Sequence, residues 1–527
     1  MKPQGGIPFF FFYIIAFIEG ACVMAIELDG AKMIAPFYGT SLYVWAAVLA
    51  VTLGGLTTGY FLGGWASYRF SGHKLLFSVL LLGTLLIALM PVIALHIMPA
   101  TSELGLRMGA LISEICFMFL PLICMGMVSP TLIQMSNTDL KGTGKTAGTI
   151  YAVSTIGGII MTLLMGFYLL PEWGIRKSII LITILLGSMP VLLFIVSHKY
   201  KLWLGSGLLI LIILFIVGAI AFQDPELPIK FLYRSEGILG QVSVLDNPQP
   251  ETNRLFRLLF INQIPQTQVN VKLMPASGWL YPHRLATLAS IKPRHSKALL
   301  IGMGGGSIAM ELKKMGFDLD IVEIDKRMPE VAEKYFAFTP DSINIIIDDG
   351  RHFIRTAKKK YDLVITDVLN GESQPFHLFT MEAFTELKKI TAPDALILIN
   401  FQGYIRGEHG RAARSIYKTL QESGYFVKYF FSEKENIDGD IHLIASLTEQ
   451  DFHSIDDGRL NVCCKVMPHK YDELITDDEI ALNDALVLTD DKPQLEILNS
   501  YWVEQWRKTT VDKYLKNLTL NKIPFFQ

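Results

Sequence analysis

Charge is scarce in this chain, and where it occurs the two signs nearly cancel. Charged residues make up 18% of 527, and the formal net charge is −2. No global basic field is available to hold a phosphate backbone, so nucleic acid is not an expected partner. Cysteine is scarcer still, at five residues. Cys22, Cys116 and Cys124 lie in apolar runs, and Cys463 and Cys464 are adjacent. That placement suits neither a disulfide framework nor a zinc site, and no metal is expected.

Apolar residues are plentiful, at 51% of the chain, and the first 222 positions hold most of the excess. Seven stretches, near 7–28, 41–63, 75–97, 108–133, 146–170, 177–197 and 202–222, are each long enough to cross about 30 Å of hydrocarbon as a helix. The first does not read as a cleaved signal. Only Lys2 precedes it, no small-x-small cleavage site follows, and further spans come after it. The lipid bilayer is therefore an expected partner. Lysines and arginines divide almost evenly between the two sets of loops, so the positive-inside rule decides little. Glu19, Glu27 and Glu114 are costly inside apolar stretches and read as candidates for function, although Glu27 with Asp29 and Lys32 also suits a membrane interface. The small residues of "GGLTTGYFLGG" are accounted for by close helix packing.

Composition changes after Phe222. The expected organisation is a multi-span region over 1–222, a small β-rich part over 223–290, an α/β region over 291–450 and a C-terminal extension over 451–527. In the β-rich part, "GQVSVLD", "RLLFIN" and "TQVNVKLM" are separated by turn residues. From Lys297 apolar strands alternate with helical segments: "ALLIGM", "LDIVEID", "INIIID", "YDLVITD" and "ALILINF", with helices over 306–316, 327–337, 350–358 and 380–391. "YFVKYFF" and "IHLIASL" form a final pair. Such alternation predicts a parallel, Rossmann-like sheet whose ligand crevice lies at the carboxyl ends of its strands.

Three strand ends carry matching chemistry. The first runs into "GMGGG", where Gly302, Gly304 and Gly305 let backbone approach a ligand at a helix N-terminus. No Gly-Lys-Ser/Thr follows it, which excludes a P-loop at this turn. The second ends at Glu323, about 20 residues on, the place for a carboxylate that takes both ribose hydroxyls. The third ends at Asp348 and Asp349, where a carboxylate can accept from an adenine amino group. Together they predict a nucleoside site.

The run 233–431 resembles the spermidine synthases, the polyamine aminopropyltransferases, which share the fold of S-adenosylmethionine-dependent methyltransferases. The likeness is carried by "VEID", "DDGRHFI" and "YDLVITDVLNGESQPFHLFTMEAF". With "ELDGAKMIAPFYGTSLYVWAAVLAVTLGGLTTGYFLGG" and "LTDDKPQLE", the whole chain resembles bacterial proteins in which a multi-span, transporter-like half is fused to such a domain. The resemblance implies decarboxylated S-adenosylmethionine or S-adenosylmethionine as co-substrate, a small-molecule amine as acceptor and a homodimer. It also implies a bacterial inner-membrane location with the soluble domain in the cytoplasm. It places Glu323 on ribose, Asp349 on adenine and Asp367 at the reaction centre. Gln241, Tyr281 and His283 fall near the diamine and sulfonium.

Two departures stand out. Gly305 occupies the place of an acid in the glycine loop, and Asn370 the place of the catalytic Asp. Asn370 can orient an amine but cannot take its proton, which leaves Glu372 or His377 as the expected base. Three functions remain open: aminopropyl transfer, methyl transfer from S-adenosylmethionine, and binding of a nucleoside or polyamine without turnover in a transporter or sensor.

Overall fold

The structure, a computed structural model, describes residues 9–136, 142–197, 230–237, 239–249, 253–369, 371, 374–430, 439–450, 452, 475–476, 480–492 and 494–510. The expected span 202–222, Asn370, Glu372, Cys463 and Cys464 lie outside the described residues. The chain forms two units. One takes the described residues of 1–228, 235–240 and 510–527, and the other those of 229–234 and 241–509.

The first unit is helical: α1 (Phe9–Tyr38), α2 (Leu42–Arg69), α3 (Gly72–Thr101), α4 (Gly105–Glu114), α5 (Leu120–Ser136), α6 (Thr143–Leu164) and α7 (Leu170–Ser197). Four stretches, Phe9–Tyr38, Tyr43–Arg69, Gly72–Ser136 and Thr143–Leu193, are long and apolar enough to cross a membrane. The third and fourth each hold a break at a glycine with left-handed backbone, Gly105 (φ 79°) and Gly174 (φ 73°). The expected pairs 75–97 with 108–133 and 146–170 with 177–197 fall on either side of those breaks. Phe61, Tyr68, Phe167 and Ile184 stand outward, as lipid-facing side chains do. The small residues of α2 let it approach α5 closely. A Cβ on Gly59 would meet Ile123 O at 2.4 Å, and one on Gly63 would meet Met127 Cα at 2.7 Å.

The second unit begins with an antiparallel sheet of β1 (Lys230–Ser235), β2 (Val242–Gln249), β3 (Arg254–Ile261) and β4 (Ile264–Asn270), ordered β1-β2-β3-β4. Asn262 and Gln263 join β3 to β4 with φ of 49° and 65°. Two positive values in a two-residue loop match the twist of a tight hairpin.

The main sheet contains β5 (Lys297–Ile301), β6 (Asp318–Glu323), β7 (Asn344–Ile347), β8 (Tyr361–Thr366), β9 (Thr391–Gln402), β10 (Phe426–Phe430), β11 (Asp440–Ser446) and β12 (Ile475–Thr476). Its order is β12-β10-β11-β9-β8-β5-β6-β7. The β5–β9 run is parallel, while β10 and β11 are antiparallel. After α8 (Tyr281–Ala289), the crossovers are α9 (Ser307–Lys314), α10 (Met328–Phe336), α11 (Gly350–Thr356), α12 (Met381–Leu387) and α13 (Arg411–Glu422). A further helix, α14 (Ser500–Thr510), lies near the C-terminus.

Helices cover both sheet faces because both are apolar. Leu299, Val364 and Ile397 point to one core, and Leu300, Ile365 and Leu398 to the other. The strand β9 starts at Thr391, earlier than the expected "ALILINF". Its pairing with β8 shifts between Tyr361 and Leu363, an irregularity that accommodates Pro393, which has no N–H to give a ladder. The chain leaves β5 toward β6 on one side and returns at β8 on the other. The crevice therefore opens at the carboxyl ends of β5 and β8.

Candidate active site

Ile301 pairs with Thr366 at the ends of β5 and β8, so Gly302 and Asp367 emerge side by side. A Cβ on Gly302 would lie 2.1 Å from Asp367 O, and its φ is +92°. Only glycine fits there. Gly304 and Gly306 also take positive φ, and Gly306 caps the N-terminus of α9. Gly305 is explained by its neighbour. Its N–H donates to Thr267 Oγ1 at 2.9 Å, and a Cβ on it would sit 2.7 Å from Thr267 Cγ2. A threonine from β4 thus fills the place where the resemblance has an acid.

Glu323 ends β6 and is buried. Its Oε2 accepts from Met303 N at 2.9 Å, and its Oε1 from Asp325 N at 2.8 Å. Burial pushes this carboxyl up, and the backbone donors offset part of that. The acid is clamped against the glycine turn.

Asp349 caps α11, its Oδ1 accepting from Arg351 N at 2.9 Å and His352 N at 3.0 Å. Its Oδ2 lies 3.1 Å from His377 Nε2. Burial raises this carboxyl, but the His352 N–H and His377 outweigh it and leave it below the ordinary range. Asp348 turns instead to His352 Nδ1, at 2.7 Å. The structure brings His377 to Asp349, with no bond to Asp367. The cause is local: His377 lies on a short 3-10 turn, Phe376–Leu378, whose His377 carbonyl accepts from Arg351. Arg351 is itself held by Glu386 and by Asp490 of the "LTDDKP" segment.

Asp367 directly follows β8, at the carboxyl end of the sheet. Its Oδ1 accepts from Asn400 Nδ2 at 2.8 Å, and its Oδ2 from the Tyr281 hydroxyl at 3.3 Å. Burial pushes the Asp367 carboxyl up, while those two donors pull it back. Burial, with Asp367 and Asp440 nearby, drives the Tyr281 phenol far above its ordinary range, so Tyr281 stays a donor. Gln374 donates to Asn400 O at 3.2 Å. Gln374 Oε1 and Asn400 Oδ1 are buried acceptors without a partner among the described residues.

Gln241 and His283 are engaged elsewhere. Gln241 Oε1 accepts from Gln263 Nε2 at 2.6 Å, within the β3–β4 corner. His283 Nε2 lies 3.0 Å from Ser277 O and steadies the segment leading to Tyr281. Sequence reasoning passed over Asn400, Gln374 and Thr267. Asn400 carried a signal: it is a polar residue near the carboxyl end of an apolar central strand, the place the crevice rule singles out.

The family model for the spermine/spermidine synthase domain matches residues 281–431, which takes in Tyr281, the glycine turn, Asp367 and Asn400. Over those residues the chain is similar to a spermidine synthase domain. A polyamine aminopropyltransferase from Vibrio vulnificus is 34% identical over 128 residues, 23% of this chain and 43% of the relative. The chain therefore spans less than half of that relative. An N-terminal histidine N-methyltransferase from Emericella nidulans is 28% identical over 445 residues, 74% of this chain and 76% of its own length. Among solved structures, a spermidine synthase from Thermotoga maritima aligns with 44% of this chain and 76% of its own at 17% identity, with a TM-score of 0.35. The matched residues take in β5 to β10 of the mixed sheet, whose antiparallel pair lies beyond β9.

Proposed function

We propose that this chain is a membrane-bound transferase that moves an aminopropyl group from decarboxylated S-adenosylmethionine to a polyamine or related amine. The observation that carries the reading is Asp367, a carboxylate fixed by Asn400 and Tyr281 beside the glycine turn. The residues suit an adenosyl donor. Gly302, Gly304 and Gly305 allow close backbone approach, Glu323 would take ribose, and Asp349 would take adenine once His377 yields its Oδ2.

A bound adenosyl sulfonium supplies an electrophilic carbon. The chain's task is to present an amine with its lone pair free. The buried acceptors Asn400 Oδ1 and Gln374 Oε1 are suited to amine N–H groups. A new C–N bond forms as the C–S bond breaks, sulfur keeps the bonding pair as a thioether, and the amine proton passes to Asp367. Its raised pKa suits that role. Asp367 takes the role of base in this reading, His377 being held by Asp349 and Glu372 lying outside the described residues. Adenosyl donors are made in the cytosol, so the domain faces the cytoplasm in this reading. Soluble synthases are commonly dimers, and a homodimer is part of the same expectation.

The long match to the fungal N-methyltransferase favours a second reading, methyl transfer from S-adenosylmethionine to an amine nitrogen. One experiment separates the two. Purified full-length protein is given each donor with a panel of amines, and the thioether product is identified. Methylthioadenosine from the decarboxylated donor supports aminopropyl transfer, and S-adenosylhomocysteine supports methyl transfer. Neither product, with donor binding retained, would overturn both in favour of a binding protein.

A further inference from the structure

Glu19, Glu27, Asp29 and Glu114 lie on the helices of the first unit, and they are not alike. Glu19 accepts from Ser154 Oγ at 2.9 Å, and Asp29 from Ser178 Oγ at 2.6 Å. Glu114, at the end of α4, is 0% exposed, and neither of its oxygens has a hydrogen-bond partner among the described residues. Glu27 of α1 is close enough to act on it electrostatically. On α2, the buried Thr52 hydroxyl stands beside Glu27, within reach but short of a full hydrogen bond among the described residues. Neither Glu27 nor Glu114 forms an ion pair with a Lys, Arg or His among the described residues.

The surroundings hold this arrangement in place. Tyr38, Thr101 and Ser113 form a buried hydroxyl chain, with contacts of 2.6 Å and 2.7 Å, that ties α1, α3 and α4 together one residue before Glu114. A π-helical turn, Ile115–Phe119, follows Glu114 directly. Such turns insert a residue into a helix, re-aim its face and recur at functional sites. Helix backbones have already spent their N–H groups on their own carbonyls, so these oxygens depend on side chains or a ligand.

Two neighbouring carboxylates in apolar surroundings cannot both stay charged without a counter-charge. A hard metal ion asks for six or more oxygens, and this group offers two carboxylates and one hydroxyl. A primary ammonium carries three N–H donors, and three helices each present one acceptor group. We propose that Glu114, Glu27 and Thr52 form a binding site for the primary ammonium of a small amine, inside the helical unit and separate from the α/β crevice. The choice of an amine rests on donor count and charge. The site stands whether the crevice transfers an aminopropyl group, a methyl group or nothing.

The test is equilibrium binding of labelled 1,4-diaminobutane to full-length protein in lipid nanodiscs. It is run in wild type and in an Asp367→Asn background that weakens the crevice. Amine binding should persist in Asp367→Asn, fall about tenfold or more when Glu114→Gln is added, and fall less with Thr52→Val. Retained adenosyl-ligand binding checks that each variant is folded. If Glu114→Gln fails that check, Thr52→Val, which keeps volume and charge, decides. Binding that vanishes with Asp367→Asn and ignores both helical variants would overturn the site and leave the crevice reading intact. Displacement by Na⁺ in place of amine, or proton uptake without amine binding, would also overturn it.

Discussion

Buried carboxylates fare differently in the two units. In the α/β unit Glu323 meets two backbone N–H groups, Asp349 two more and a histidine, and Asp367 an amide and a phenol. In the helical unit Glu19 and Asp29 meet serine hydroxyls, and Glu114 meets no hydrogen-bond donor among the described residues. The reason lies in backbone supply. Strand ends and helix N-termini leave N–H groups unspent, and an acid placed there is solvated by the main chain. A mid-helix acid has no such donors, because every N–H is already bonded four residues back. An acid at a strand end is built in, whereas an acid in a helix bundle waits for a side chain, a proton or a ligand.

The sharpest break of this contrast is Asp367→Asn. It keeps the shape of the site but removes the proposed proton acceptor. Turnover should fall about 10²–10⁴-fold while adenosyl-ligand affinity changes little. In wild type the acid limb of the rate profile should lie above the ordinary aspartate value of 3.8, because burial raises this group. Unchanged turnover in the variant would remove Asp367 from the chemistry.

Glu323→Gln tests the clamp on the glycine turn. The amide still accepts at one oxygen, but it presents donors where Met303 N or Asp325 N now donates. About 1.5–3 kcal/mol of charge-assisted bonding is lost, so affinity for any adenosyl ligand should drop about tenfold or more in titration calorimetry. Wild-type affinity would mean that Glu323 serves only the fold.

The smallest expected effect concerns stability and pH. His442 on β11 is 0% exposed, and burial, with Arg284 nearby, pushes its imidazole down to about 3. Between the ordinary 6.5 and about 3 the unfolded chain binds the extra proton, so stability falls as pH falls through that window. At pH 5 the loss is about 2 kcal/mol. In His442→Phe that part of the acid sensitivity should disappear, read as a smaller change in denaturant midpoint between pH 7 and pH 5. An equal midpoint change in both proteins would assign the sensitivity to other groups.

Much of the fold was legible because it is written in local patterns. The apolar runs of β5 to β11 and the helices between them come from periodicity, and the turn at 302–306 from glycines that positive φ and close approach require. Glu323, Asp349 and Asp367 were visible as acids at strand ends, since strand and acid are neighbours in sequence. The bonds between them were not visible. Asn400 reaches Asp367 because β9 lies beside β8, and Thr267 fills the space at Gly305 because β4 folds over the turn. His377 turns to Asp349 because Arg351 holds its carbonyl. By itself the sequence determined which residues end strands and which helices carry acids, because those follow from spacing along one segment. Only the tertiary structure decided which acids are met and which, like Glu114, have no hydrogen-bond partner among the described residues. A buried charge takes its partner from segments far away in the chain, and no local period encodes which segment comes to lie beside it.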